Sequence, residues 1–192
     1  MKNVIILGAS GNIAQRVIDI LTKKNDIKLT LFLRNKKRLR DRDISKCRVI
    51  EGDVLNSNQL KEAIKGQNVV YANLAGDLGT MAKNIVRAME ETAVKRVIAI
   101  SSIGIYQRPL RTALKPYREL ADVIEASNLD FTILRPTWFT DADEVDYELT
   151  RKGEAEKGSV ISRKSLATFI TKIIEAPEQY IRENLGISKP GS

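Results

Sequence analysis

The chain has no histidine in its 192 residues. That removes the commonest general base near neutral pH and the commonest zinc ligand. A single cysteine, Cys47, excludes an intramolecular disulfide and a cysteine-rich metal centre, so no metal site is expected. Long apolar runs are also missing, and no stretch approaches the roughly 18 residues needed to span a bilayer. The opening run Val4-Ile5-Ile6-Leu7 is too short for a signal peptide, and Gly8-Ala9-Ser10-Gly11-Asn12 follows it at once. The expectation is a cytoplasmic protein in a reducing compartment, with no membrane partner. Any chemistry must run on Ser, Thr, Tyr, Lys, Arg, Asp, Glu or a bound cofactor.

What is present suits one globular domain. A hydrophobic fraction of 43% is ample for a core at this length and excludes intrinsic disorder. The net charge of +8 is unevenly spread. Between Arg34 and Arg48 stand Arg34, Lys36, Lys37, Arg38, Arg40, Arg42, Lys46 and Arg48, against only Asp41 and Asp43. Such a run reads as a solvated charged face, a nucleic-acid surface or a nucleotide-phosphate surface. No aromatic interleaves the charges and no recognition motif accompanies them, so a nucleic-acid partner is not expected.

Strands and helices alternate along the chain. Asn3–Leu7 is an all-apolar strand of the kind buried on both faces of a parallel sheet. Helical spacing follows from Asn12, through Ile13, Val17 and Leu21, with Ala14 and Ile18 alongside. Ile27–Leu33, Arg48–Glu51, Asn68–Leu74, Arg96–Ser101 and Phe131–Arg135 read as further strands. Helices are predicted after Asn56-Ser57, which offers a cap and is stopped by Gly66, over Met81–Thr92, and over about Tyr117–Ser127. This βαβ alternation predicts an α/β, doubly wound parallel sheet in three αβα layers, a single Rossmann-type domain over residues 1–192. After Pro136, Asp141–Tyr147 reads as acidic and irregular, Ser159–Ser162 as a short strand and Lys164–Glu175 as a helix. The tail from Pro177 reads as a surface segment ending in a short strand or turn. Residues from about 137 to 192 are expected to form a small substrate-covering portion, with Thr140–Gly158 its lid.

The strongest motif opens where the first strand ends: Gly8-Ala9-Ser10-Gly11-Asn12-Ile13-Ala14. Gly8 allows the tight turn, Gly11 lets the backbone approach a pyrophosphate, and Ala14 keeps the helix close to the strand. The exposed amides and dipole of the first helical turn favour an anionic diphosphate. A strand before and a helix after supply the context this motif requires. The second strand ends in Leu33-Arg34-Asn35, where an acid would bind the ribose 2′-hydroxyl of NAD. Arg34 suits instead the 2′-phosphate of NADP, with Lys36, Lys37 and Arg38 in reach. NADP(H) is the expected cofactor.

With Gly8–Ala14, Gly52-Asp53-Val54, Asn73-Leu74-Ala75-Gly76 and Leu134-Arg135-Pro136 in order, the chain resembles the atypical short-chain dehydrogenases/reductases. Within them it is most similar to the NAD(P)-binding group of flavin and biliverdin-type reductases and nitrogen-regulator-like redox sensors. The resemblance spans Met1 to about Ile174. It implies that Asp53 and Val54 sit against the adenine and that Asn73, Leu74 and Ala75 line the ribose side. It further implies that Ser101 and Ser102 stand at the reacting edge of the nicotinamide. Arg135-Pro136-Thr137 would approach the nicotinamide, and Trp138 and Phe139 would wall a flat substrate.

One departure from the superfamily matters. Ordinary members pair a tyrosine with a lysine four residues on, whose charge lowers the phenol pKa for proton transfer. Four residues beyond Tyr71, Tyr106, Tyr117, Tyr147 and Tyr180 stand Ala75, Leu110, Ala121, Arg151 and Asn184, and none is lysine. Two chemistries survive. One is reduction of a flat acceptor such as a flavin or quinone, needing little acid catalysis, with Ser102, Tyr106 and Tyr117 as candidate proton-handling groups. The other is an NADP-binding sensor without turnover. The expected partners are a small flat or aromatic substrate and, at most, a second copy in a weak homodimer.

Overall fold

The computed structural model describes residues 1–39 and 43–192; Arg40, Asp41 and Arg42 of the basic segment lie outside the described residues. In chain order the elements are β1 (Lys2–Leu7), α1 (Asn12–Leu21), β2 (Ile27–Leu33), β3 (Arg48–Glu51), α2 (Ser57–Ile64), β4 (Val69–Ala72), α3 (Leu78–Glu91) and β5 (Arg96–Ile100). They continue with α4 (Lys115–Glu125), β6 (Asp130–Pro136), β7 (Trp138–Thr140), β8 (Glu148–Arg151), β9 (Val160–Ser162), α5 (Arg163–Glu175) and β10 (Glu183–Ser188).

An eight-stranded sheet runs in the order β3-β2-β1-β4-β5-β6-β10-β8, and only β8 is antiparallel to its neighbour. Strand β1 is buried over Val4–Leu7 because both faces carry helices. Ile6 meets Val17 and Leu21 of α1 and Phe169 of α5 in one core, while Ile5 and Leu7 meet Leu60, Ile85 and Leu120 in the other. Each such side chain contributes about 1.5–3 kcal/mol of burial. The chain leaves β1 for β2 and β3, then returns to place β4 on the other flank of β1. The crevice that reversal creates, at the carboxyl ends of β1 and β4, is where open α/β sheets bind ligands.

Two expectations are corrected. The tail beyond Pro177 is not a surface segment. β10 inserts between β6 and β8, with Leu185 and Ile187 buried. The tail is tied down from within, since Arg96 Nη2 donates to the Gln179 carbonyl at 3.0 Å and Thr132 Oγ1 to that of Tyr180 at 2.7 Å. Nor is the span from Thr140 to Gly158 irregular throughout, because β8 closes the sheet edge. The aromatic pair after β6 forms β7, which pairs in parallel with β9.

Candidate functional site

A cavity of about 750 Å³ opens at the strand reversal. That lies within the roughly 300–1,000 Å³ range of small-molecule sites. Every cofactor-side candidate from the first four strands lines it: Gly8, Ser10, Gly11, Asn12 and Ile13; Arg34; Asp53 and Val54; Asn73, Leu74 and Ala75. Phe32, Leu33, Asn35, Arg38, Gly52, Met81, Phe139 and Arg163 also line it.

The glycine loop owes its shape partly to Asn73. Gly8 has a φ of +80°, and a Cβ there would run into the Asn73 carbonyl oxygen. A Cβ on Gly11 would run into the Asn73 side-chain amide. Both glycines therefore let the first loop close against the end of β4, a packing role that the motif alone does not disclose. The helix that follows starts without a side-chain cap, as α4 does. Side chains cap α2, α3 and α5 through Asn56, Asp77 and Ser162, but Gly11 gives α1 no side-chain cap, and no acid occupies its first turn. Its first amides lack intrahelical partners and open on the cavity, where an anion would satisfy them. Arg34, Arg38 and Arg163 line the same space, with Asp53 the lone carboxylate among the described residues. This donor set fits a phosphorylated dinucleotide.

The candidates from β5 and β6 lie elsewhere. Ser101 is buried, and its hydroxyl donates to the Tyr117 carbonyl at 3.0 Å. Ser102 is partly exposed, and its hydroxyl donates to the Ile103 carbonyl at 3.2 Å. Tyr117 packs with the second core, and neither it nor Pro136 lines the cavity. Arg135 lies within β6 and turns into the protein, with only 2% exposure. It pairs with Glu156, donates to Asn184 Oδ1 at 2.9 Å and keeps Nη2 without a partner.

Tyr106 belongs to that same buried cluster. Its hydroxyl accepts from Asn184 Nδ2 at 2.7 Å, while Lys152, Arg118 and Arg135 surround its ring at 4.8, 4.7 and 5.4 Å. Burial, and then the Glu125 charge, raise the Tyr106 pKa against the opposing pull of Lys152 and Arg135. The phenol is protonated throughout the neutral range. Glu156 also accepts from the Gly104 amide at 3.1 Å, so the segment after β8 is fastened to this cluster rather than spread over the cavity. Of the portion beyond residue 137, only Phe139 and Arg163 line the cavity. Trp138 points to solvent at 76% exposure. Arg163 escapes sequence reasoning because no local pattern joins the start of the last helix to the glycine loop.

A profile described as NAD(P)H-binding matches residues 8–177. The chain belongs to this family. A Rossmann-fold NAD(P)-binding family protein from Shigella flexneri is 50% identical, with a TM-score of 0.92 over 100% of this chain and 95% of that one. A short-chain dehydrogenase/reductase from Veillonella parvula, solved in complex with NADP, is 30% identical, with a TM-score of 0.88 over 99% and 95% of the two chains. ChuY, an anaerobillin reductase from Escherichia coli O157:H7, shares the fold at 15% identity, with a TM-score of 0.86 over 100% and 98%. The atypical short-chain dehydrogenase/reductase reading fits this company, as does an NAD(P)-binding, oxidoreductase-type fold. Among the described residues no helix is long and apolar enough to cross a membrane, and no cluster of three or more His, Cys, Asp or Glu residues could hold a metal ion.

Proposed function

We propose that the protein is an NADPH-dependent reductase acting on a flat acceptor such as a flavin or quinone. One observation carries the reading. A single cavity joins the uncapped amides of α1 to the guanidinium groups of Arg34 and Arg38 at the end of β2. NADPH, when bound, supplies the hydride that the acceptor takes up together with one proton. The amides of the first α1 turn hold the diphosphate, and Arg34 grips the 2′-phosphate with Arg38 beside it. Asp53 and Val54 flank the adenine, and Asn73 fixes the loop geometry. Phe139, at the far wall, offers an aromatic face against which a planar acceptor stacks. Ser102, two residues past the end of β5 and partly exposed, holds a proton or a carbonyl by exchanging its bond to the Ile103 carbonyl. Reduction of a delocalised acceptor needs positioning more than a strong acid, which suits a site without a Tyr–Lys pair.

Following the nicotinamide absorbance with a panel of flavins, quinones and aldehydes tests this. Oxidation of NADPH that depends on a flat acceptor is expected. Silence across the panel, with NADPH still binding, favours the second reading, an NADP sensor. That reading draws on the seclusion of Ser101, Tyr106 and Tyr117 from the cavity.

A further inference from the structure

We propose that Arg163 is a second phosphate clamp, held ready by Asp141 and Phe139, that takes the nicotinamide-side phosphate of the dinucleotide. The inference rests on the NADPH reading and adds a residue and a partner exchange to it. Arg163 opens α5, and its side chain is 23% exposed. It lines the same cavity as Gly8, Ser10, Gly11 and Asn12. Its base is rigid. Ser162 caps α5 and also donates to the Glu144 carbonyl at 2.9 Å, while the Asp146 amide donates to Ser165 Oγ at 3.0 Å. The Asp141–Tyr147 segment is thereby fixed, at Glu144 and Asp146, to the helix that carries Arg163.

Among the described residues the guanidinium meets one carboxylate and one aromatic ring. Its Nη1 lies 3.0 Å from Asp141 Oδ1, and its Cζ lies 5.4 Å from the Phe139 ring centroid. Arg16 Nη2, on α1, reaches the same Asp141 oxygen at 3.2 Å. One carboxylate oxygen thus serves two guanidinium groups, leaving a positive charge in surplus beside the mouth of α1. Asp141 is 72% exposed, and pairs with so exposed an acid are weak and easily exchanged. A phosphate, which accepts the planar fork bidentately, is the stronger partner. Position assigns which phosphate. α5 packs against α1 on the flank away from β2, so Arg163 faces the diphosphate from the side opposite Arg34. Phe139 holds the guanidinium over the cavity while the exchange occurs.

The test is calorimetric titration of wild type, Arg163→Gln and Asp141→Asn with NADPH and with adenosine 2′,5′-bisphosphate, which lacks the nicotinamide-side phosphate. Arg163→Gln should raise the Kd for NADPH by roughly tenfold to a hundredfold while leaving the bisphosphate within about twofold. Asp141→Asn should tighten NADPH by about two- to fivefold, a sign that loss of a merely structural pair would not give. The clamp is overturned if Arg163→Gln binds NADPH as wild type does, if both ligands weaken alike, or if Asp141→Asn weakens NADPH. Wild type that binds no NADPH would sink the cofactor reading as well, whereas wild type that binds it beside an unaffected Arg163→Gln removes the clamp alone.

Discussion

Arg34 and Arg135 stand at the carboxyl ends of strands in the same sheet, and the fold treats them oppositely. Arg34 follows β2, is exposed, and among the described residues is given no ion pair; it faces a cavity whose nearest helix lacks a side-chain cap. Arg135 lies inside β6, is buried, and is answered by Glu156 and Asn184 with Tyr106 stacked nearby. One end of the sheet leaves positive charge and amide donors unsatisfied toward solvent. The other encloses Arg135 and answers it with Glu156 and Asn184, leaving one buried guanidinium nitrogen, Nη2, without a hydrogen bond. Unsatisfied donors around a cavity mark where a ligand completes the structure, and satisfied ones mark where the structure completes itself.

Mutations can break this contrast, and the largest effect is expected at the glycine loop. Gly11→Asp places a carboxylate where the diphosphate would lie and a Cβ against the Asn73 amide. NADPH binding should vanish at millimolar concentrations in a calorimeter, with a thermal melt confirming the fold. Next, Arg135→Met should cost about 3 kcal/mol in denaturant unfolding, because Glu156 loses its buried partner, yet leave the Kd for NADPH near the wild-type value. A large change in affinity there would erase the distinction between the two ends. Arg34→Glu should do the reverse, leaving stability nearly unchanged while weakening NADPH by about 1.5–3 kcal/mol more than NADH. The smallest effect belongs to Ser102→Ala, which should lower turnover by less than about tenfold if the hydroxyl only orients a group, since one neutral hydrogen bond contributes about 1 kcal/mol. Complete loss would make Ser102 an essential acid.

Most of the open end was legible in the sequence, because its signals are local. The apolar run of β1, the glycine turn and the helical spacing from Asn12 sit within about one βαβ unit, and strand–turn–helix context gives them meaning. Arg34 follows from counting along that unit. The closed end was misread because its logic is long-range. Glu183–Ser188 alternates Leu185 and Ile187 with Asn184, Gly186 and Ser188, which resembles a half-exposed edge. In the fold Asn184 meets Arg135 and Tyr106, Gly186 lies against Thr150 and Ser188 against Gly158, and every residue from Asn184 to Ser188 is buried. Likewise, the resemblance implies that Arg135, at the end of its strand, approaches the nicotinamide with Pro136 and Thr137. Only the arrival of Glu156, 21 positions later in the chain, shows why its guanidinium turns inward. Arg163 is the converse case, brought to the glycine loop by packing of α5 on α1.

Titrating the wild-type protein with NADPH and NADH side by side, by calorimetry at one ionic strength, bears most directly on all of this. Arg34 at the lip of the cavity requires saturable binding with NADPH the tighter ligand. Equal or tighter binding of NADH, or no heat from either at millimolar concentrations, would contradict it.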